Sequence, residues 1–147
     1  MKPSASPHPN ILLVDDNRDG LLVRRSVLEE LGYGVSVARN GEEGLKLFES
    51  ASFDVVVTDY RMPRMDGAEL IQRIRKLNPN ARIILLSGFV DPLGLTEEST
   101  GADVVIAKSS NEPAHLTRWV KRLLNRTARK PPASQKRAVA RVKASIG

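Results

Sequence analysis

The sequence predicts an α/β fold, a doubly wound five-stranded parallel sheet with helices on both faces. Three observations predict it. Five strand signals are spaced along the 147 residues, each is followed by a stretch of helical periodicity, and the links between them are short. Repeated strand–helix units of this kind pack as a parallel sheet with right-handed crossovers. A chain of this length has room for one core.

Residues 10–14 (Asn-Ile-Leu-Leu-Val) read as a buried strand, a short apolar run followed by turn chemistry. Asp19 can cap a helix that carries Leu22, Val23, Val27, Leu28 and Leu31 and stops at Gly32. Residues 33–38 alternate Tyr33, Val35 and Val37, which fits a strand less buried than the first. Asn40 then caps a short helix with Leu45, Leu47 and Phe48, and residues 53–58 form the most continuous strand. Asp66-Gly67 opens a helix with Leu70, Ile71, Ile74 and Leu77, which Asn78-Pro79 ends.

Residues 82–86 are a fourth, buried strand. Residues 91–101 are a poor helix, with Pro92, Gly94 and only Leu93 and Leu95 as large apolar side chains. Residues 103–107 make the fifth strand. A last helix, about Glu112 to Arg126, places Leu116, Trp119, Val120, Leu123 and Leu124 on one stripe.

The net charge of +6 is unevenly spread. Residues 1–117 carry 13 Lys/Arg against 17 Asp/Glu, whereas residues 118–147 carry 10 Lys/Arg and no acid. An acidic body therefore precedes a basic terminus, and only the terminus argues for a polyanionic partner. With no cysteine, disulfides and thiolate metal sites are excluded. No run approaches the roughly 18 apolar residues of a membrane span. Residues 1–8, with prolines at 3 and 7, lack the apolar core of a secretory signal, so a flexible N-terminus and a cytoplasmic protein are expected.

The chemistry concentrates at the ends of the strands. The first runs into Asp15-Asp16, the third into Asp59, the fourth into Ser87 and the fifth into Lys108. A parallel sheet points all its carboxyl ends at one edge, so these residues converge in one crevice. Two carboxylates about 4 Å apart repel by roughly 4 kcal/mol at an effective dielectric near 20, so three acids there call for a cation or a shared proton. All-oxygen ligation with few protein ligands fits Mg2+, which pairs with a phosphate oxygen. Asp59, held rigidly by a β-branched strand, can act as a nucleophile forming an aspartyl-phosphate. The metal, the Lys108 ammonium and the Ser87 hydroxyl can each take one phosphoryl oxygen. Taken singly, Asp15 and Asp16 read as helix caps, Ser87 as a turn former and Lys108 as a solvated lysine. Together those plainer readings require coincidence.

Over about residues 9–126 the chain resembles the receiver domain of bacterial two-component response regulators, of the CheY-like type. The motifs that carry the resemblance are Val14-Asp15-Asp16-Asn17, Thr58-Asp59-Tyr60-Arg61-Met62-Pro63-Arg64-Met65-Asp66-Gly67, Leu86-Ser87-Gly88, and Gly101-Ala102-Asp103 leading to Lys108. The resemblance implies a flavodoxin-like strand order of 2-1-3-4-5. It implies Asp59 as phosphoacceptor, Asp16 as a direct Mg2+ ligand, Asp15 acting through metal-bound water, and the Arg61 carbonyl as a further ligand. Ser87 and Lys108 would contact the phosphoryl group. The partners implied are a histidine kinase or phosphotransfer protein and a downstream protein target that the sequence does not name. Such a protein is a phosphoacceptor rather than an enzyme, with at most self-catalysed phosphotransfer and autodephosphorylation.

Three departures stand out. The family usually has proline after the lysine, often through a cis bond, where this chain has Lys108-Ser109-Ser110. A cis bond before serine costs about 2.5–4 kcal/mol, so a trans bond is expected, with Lys108 aimed differently. An aromatic switch residue often lies three positions before the lysine, and here Val105 stands there, a degenerate switch position. Arg61 and Phe89 would border the path of attacking water and tune the lifetime of the phosphoryl group.

The basic tail, residues 127–147, holds Lys136, Arg137, Arg141 and Lys143 around Val139, Val142 and Ile146. A segment this short rarely holds a helix alone in water, so a solvated, disordered tail is expected. Docking on an acidic partner, a membrane surface or nucleic acid are the alternatives, and the absence of aromatic residues disfavours base readout. No effector domain is expected after residue 126, and output by phosphorylation-dependent partner binding is expected with it. A receiver-fold binding module that signals without phosphorylation is the rival. A phosphatase acting on an outside substrate would want an acid–base Asp two residues after its nucleophile, where Arg61 stands.

Overall fold

A computed structural model describes residues 8–88, 94–109 and 111–129. The expectations for residues 1–7, for Phe89, for the start of the 91–101 segment and for the tail from 130 onward lie outside them.

Five strands form one parallel sheet: β1 Asn10–Val14, β2 Gly34–Ala38, β3 Val55–Asp59, β4 Ile83–Ser87 and β5 Val104–Ala107. Their order is β2-β1-β3-β4-β5, as the resemblance implied. Among the described residues five helices connect and flank them: α1 Arg18–Glu30, α2 Gly41–Ser50, α3 Gly67–Leu77, α4 Glu97–Thr100 and α5 Glu112–Arg129.

Alternation along the buried strands divides the core between the two faces of the sheet. Ile11, Leu13, Val55, Val57, Ile84, Leu86, Val104 and Ile106 face Leu21 and Leu28 of α1 and Leu116, Val120 and Leu123 of α5. Leu12, Val14, Val56, Ile83 and Leu85 point the other way, onto Leu70, Ile71 and Ile74 of α3 and onto Met62 and Met65. The side chains of β3 and β4 are buried on both faces, which is why they read as continuous apolar runs. β2, at the edge, is only half-buried over Gly34–Val37.

The helix starts follow their capping chemistry. Asn40 accepts the Glu43 N–H at 2.8 Å, and Asp66 accepts the Glu69 N–H at 2.9 Å. At α1 the expectation is corrected: the cap is Asn17, which accepts the Gly20 N–H at 2.9 Å, and Asp19 lies within the first turn. The phase of α1 is corrected with it. Leu22, Val23 and Leu31 are exposed, and the buried stripe is Leu21, Arg24 and Leu28. Leu77, placed on the core stripe of α3, is exposed as well. In the described part of the 91–101 segment, residues 94–101, helix is confined to the single turn of α4, with a reciprocal Thr96–Ser99 cap and Gly101 at φ 86° closing it. α5 continues to Arg129 rather than stopping near Arg126.

Candidate functional site at the carboxyl edge of the sheet

β1 delivers Asp15 and Asp16, β3 ends on Asp59, β4 ends on Ser87, and Lys108 follows β5. One carboxylate oxygen from each of Asp15, Asp16 and Asp59 lies within 4.8 Å of the others. Asp15 and Asp59 are buried, at 2% and 5% exposure, while Asp16 faces solvent. The Lys108 ammonium reaches the Asp59 Oδ1 at 2.6 Å. The Lys108 N–H donates to the Ser87 carbonyl at 2.9 Å, which ties the loop after β5 to the end of β4. Four chain segments thus meet at one mouth, as their strand-end positions predict.

Two local devices hold Asp59 in place. The Tyr60 N–H donates to the Leu86 carbonyl at 2.9 Å, extending the β3–β4 pairing past the acid. The Gly67 N–H donates to the Tyr60 carbonyl at 2.7 Å, and a Cβ at residue 67 would lie 2.3 Å from the Asp59 carbonyl oxygen. Only glycine lets the start of α3 come this close to the acid-bearing peptide.

Burial pushes the Asp59 carboxyl above its ordinary value, Lys108 opposes this through its hydrogen bond, and the Asp15 charge pushes it up again. A divalent cation would relieve that repulsion. The donor set suits magnesium, since the three carboxylates supply hard oxygen ligands and the exposed Asp16 leaves the mouth open for water and a phosphate oxygen.

No described peptide bond is cis, so the Lys108–Ser109 bond is trans as expected. The expectation that this would aim Lys108 elsewhere is corrected by its contact with Asp59. Arg61 is exposed and lines a cleft of about 420 Å³ with Asp16, Tyr60, Met62, Pro63 and Asp66. Val105 is half-buried, and its N–H donates to Glu97 Oε2 at 2.9 Å, binding β5 to the turn of α4.

The chain matches the family model described as response regulator receiver domain over residues 11–121. It belongs to that family. Among proteins similar to this receiver domain is the Probable transcriptional regulator ycf27 of Cyanidium caldarium, 36% identical over 118 residues, which are 80% of this chain and 47% of that protein. The chain spans less than half the length of the curated relatives it matches. Two solved structures show the same fold. The CheY-like receiver domain protein of Methanospirillum hungatei superposes with a TM-score of 0.76 at 31% identity, covering 82% of this chain and 97% of that one. The TrrA response regulator of Thermotoga maritima, solved in complex with Mg(2+)-BeF, gives 0.72 at 37% identity, covering 79% and 99%.

The sequence reading missed Arg24 and Glu112. Arg24 is 8% exposed and Glu112 is 7% exposed. The Arg24 guanidinium donates from Nη1 to Asp15 Oδ2 at 2.5 Å, and from Nε and Nη2 to the two Glu112 carboxylate oxygens at 2.9 Å each. Burial alone would lower the Arg24 pKa, but Glu112 first and then Asp15 hold it above its ordinary value, so the group stays charged. The available signal was an arginine in phase with Leu21 and Leu28, since a charge on an apolar stripe needs a buried partner.

Proposed function

We propose that this receiver domain accepts a phosphoryl group on Asp59 from a histidine kinase or phosphotransfer protein and signals through phosphorylation-dependent binding of a protein target. The observation that carries the reading is the buried Asp59 carboxylate, held at 2.6 Å by Lys108 beside two further carboxylates. In the reaction an Asp59 oxygen attacks phosphorus, the phosphorus–nitrogen bond to the donor histidine breaks, and the electron pair leaves with the imidazole.

Each residue has a defined part. Asp15 and Asp16, with Asp59 and the Arg61 carbonyl, would hold magnesium. Bound there, it supplies charge neutralisation at the phosphoryl oxygens. Lys108 leaves Asp59 for a phosphoryl oxygen once the carboxylate has become an acyl phosphate, and the Ser87 hydroxyl takes another. Val105, too small to swing as an aromatic ring does, leaves readout to the β5–α4 contact through Glu97. Arg61, at the rim of the cleft beside Asp16, slows hydrolysis by occupying the approach of water, and Phe89 is given a lifetime-tuning role from its sequence position alone, two residues after Ser87. The receiver unit spans residues 9–126, a cytoplasmic module with the basic segment beyond it. Nucleic-acid binding through that segment is not favoured.

Incubation with acetyl phosphate and Mg2+ tests the reading. An adduct of about 80 Da that is absent in Asp59→Ala supports it. No adduct in the parent chain overturns it and leaves the module that signals without phosphorylation, and an equal adduct in the variant overturns Asp59 as the acceptor.

A further inference from the structure

Asp15 is already engaged. Its Oδ1 accepts the Asn17 N–H at 2.9 Å, and its Oδ2 accepts Arg24. Each carboxylate oxygen has room for one more partner, so a cation or a cation-bound water reaching Asp15 has to share it with a guanidinium. Two N–H groups of that guanidinium are committed to Glu112, at the first residue of α5. The pair is built rather than incidental. A Cβ at residue 20 would lie 2.9 Å from Arg24 Nη1 and 3.2 Å from Asp15 Oδ2, so glycine in the first turn of α1 leaves room for the bond. A helix tolerates that glycine only at a cost of about 1 kcal/mol against alanine.

We propose that Arg24 is a positioning residue that sets the cation affinity of the acidic mouth by competing for Asp15, and that Glu112 sets how strongly it competes. The inference rests on the reading of Asp15 as part of the magnesium site. With the Glu112 carboxylate in place, much of the Arg24 charge is spent across the α1–α5 contact and the mouth keeps its negative potential. With an uncharged side chain at residue 112, the whole guanidinium charge turns toward Asp15 and repels a divalent ion. With Arg24 gone, Asp15 keeps only the Asn17 N–H and has no cationic rival for the metal. The two partners of one ion cluster therefore shift metal binding in opposite directions. A purely structural cluster has no reason to do so, because loosening it from either side disorders the same mouth.

Calorimetric titration of the unphosphorylated chain with MgCl2 reads this without any phosphoryl transfer. Glu112→Gln should weaken binding roughly tenfold, the scale typical of groups that orient metal ligands. Arg24→Met should tighten it by a similar factor. Arg24→Met/Glu112→Gln, which leaves no buried charge without a partner except Asp15 itself, should also bind more tightly than the parent and covers the case in which Arg24→Met alone does not fold. Circular dichroism confirms folding of each variant. Weaker or unchanged affinity in the double variant, or unchanged affinity in Glu112→Gln, overturns the proposal while leaving the magnesium reading intact. Absence of magnesium binding by the parent chain overturns both.

Discussion

Two ion pairs share the mouth of this receiver domain, and they are built differently. Asp59–Lys108 rests on one contact of 2.6 Å from a lysine whose side chain is 31% exposed. Asp15–Arg24–Glu112 uses three hydrogen bonds from a guanidinium with little exposure, two of them in the paired geometry that arginine favours. The first has a single flexible tether and can be given up when Asp59 acquires a new charge. The second joins β1 and α1 to α5 and persists. The proposed phosphoryl acceptance and release would use both, one group that moves and a frame that holds the acids in place meanwhile.

The sharpest way to break this comparison is to remove one charged partner from each cluster. Glu112→Ala leaves a buried guanidinium half-partnered and should cost about 3 kcal/mol of unfolding free energy, whereas Lys108→Ala should cost about 1 kcal/mol, because the lysine end of its pair is partly exposed and screened. Urea denaturation of both variants checks this, and equal losses would contradict the assignment of frame and mover. Gly67→Ala sharpens the same point through the backbone. The added methyl collides with the Asp59 carbonyl, and a loss of about 2 kcal/mol is expected, within the usual range for forced overpacking.

The smallest effect is the dependence of stability on pH. Because the folded-state pKa of Asp59 lies above its ordinary value of 3.8, its ionised form opposes folding at neutral pH. Asp59→Asn should therefore raise the melting temperature at pH 7 in metal-free buffer. The gain should shrink as pH falls through the raised pKa and vanish below 3.8, where the parent carboxyl is protonated in both states. A gain that grows on acidification would have the wrong sign.

The convergence of Asp15, Asp16, Asp59 and Lys108 was legible because each lies at the end of an apolar run, and parallel pairing turns that sequence position into a shared edge. The sheet order needed the motif resemblance, since periodicity alone does not rank strands. What was illegible has a common physical origin. Helix phase was read from apolar residues alone, so Leu22 and Val23 were placed inside and Arg24 was not considered, when the buried stripe of α1 contains the arginine. Its partner Glu112 lies 88 residues away and contributes no local pattern. The cap at Asn17 was passed over for Asp19 because both are good capping residues and only backbone geometry separates them. Similarly, Phe53-Asp54 read as strand, yet β3 starts at Val55, and the Asp54 carboxylate accepts the Asn10 N–H at 2.8 Å.

The most direct test of the central claim, that Asp59 and Lys108 act on one phosphoryl group, is fluorine NMR of the chain with beryllofluoride and Mg2+, the pairing held by the TrrA structure. The account predicts a bound fluorine signal that requires magnesium, disappears in Asp59→Asn and is weakened or lost in Lys108→Ala. A bound signal of equal intensity in Asp59→Asn would contradict it.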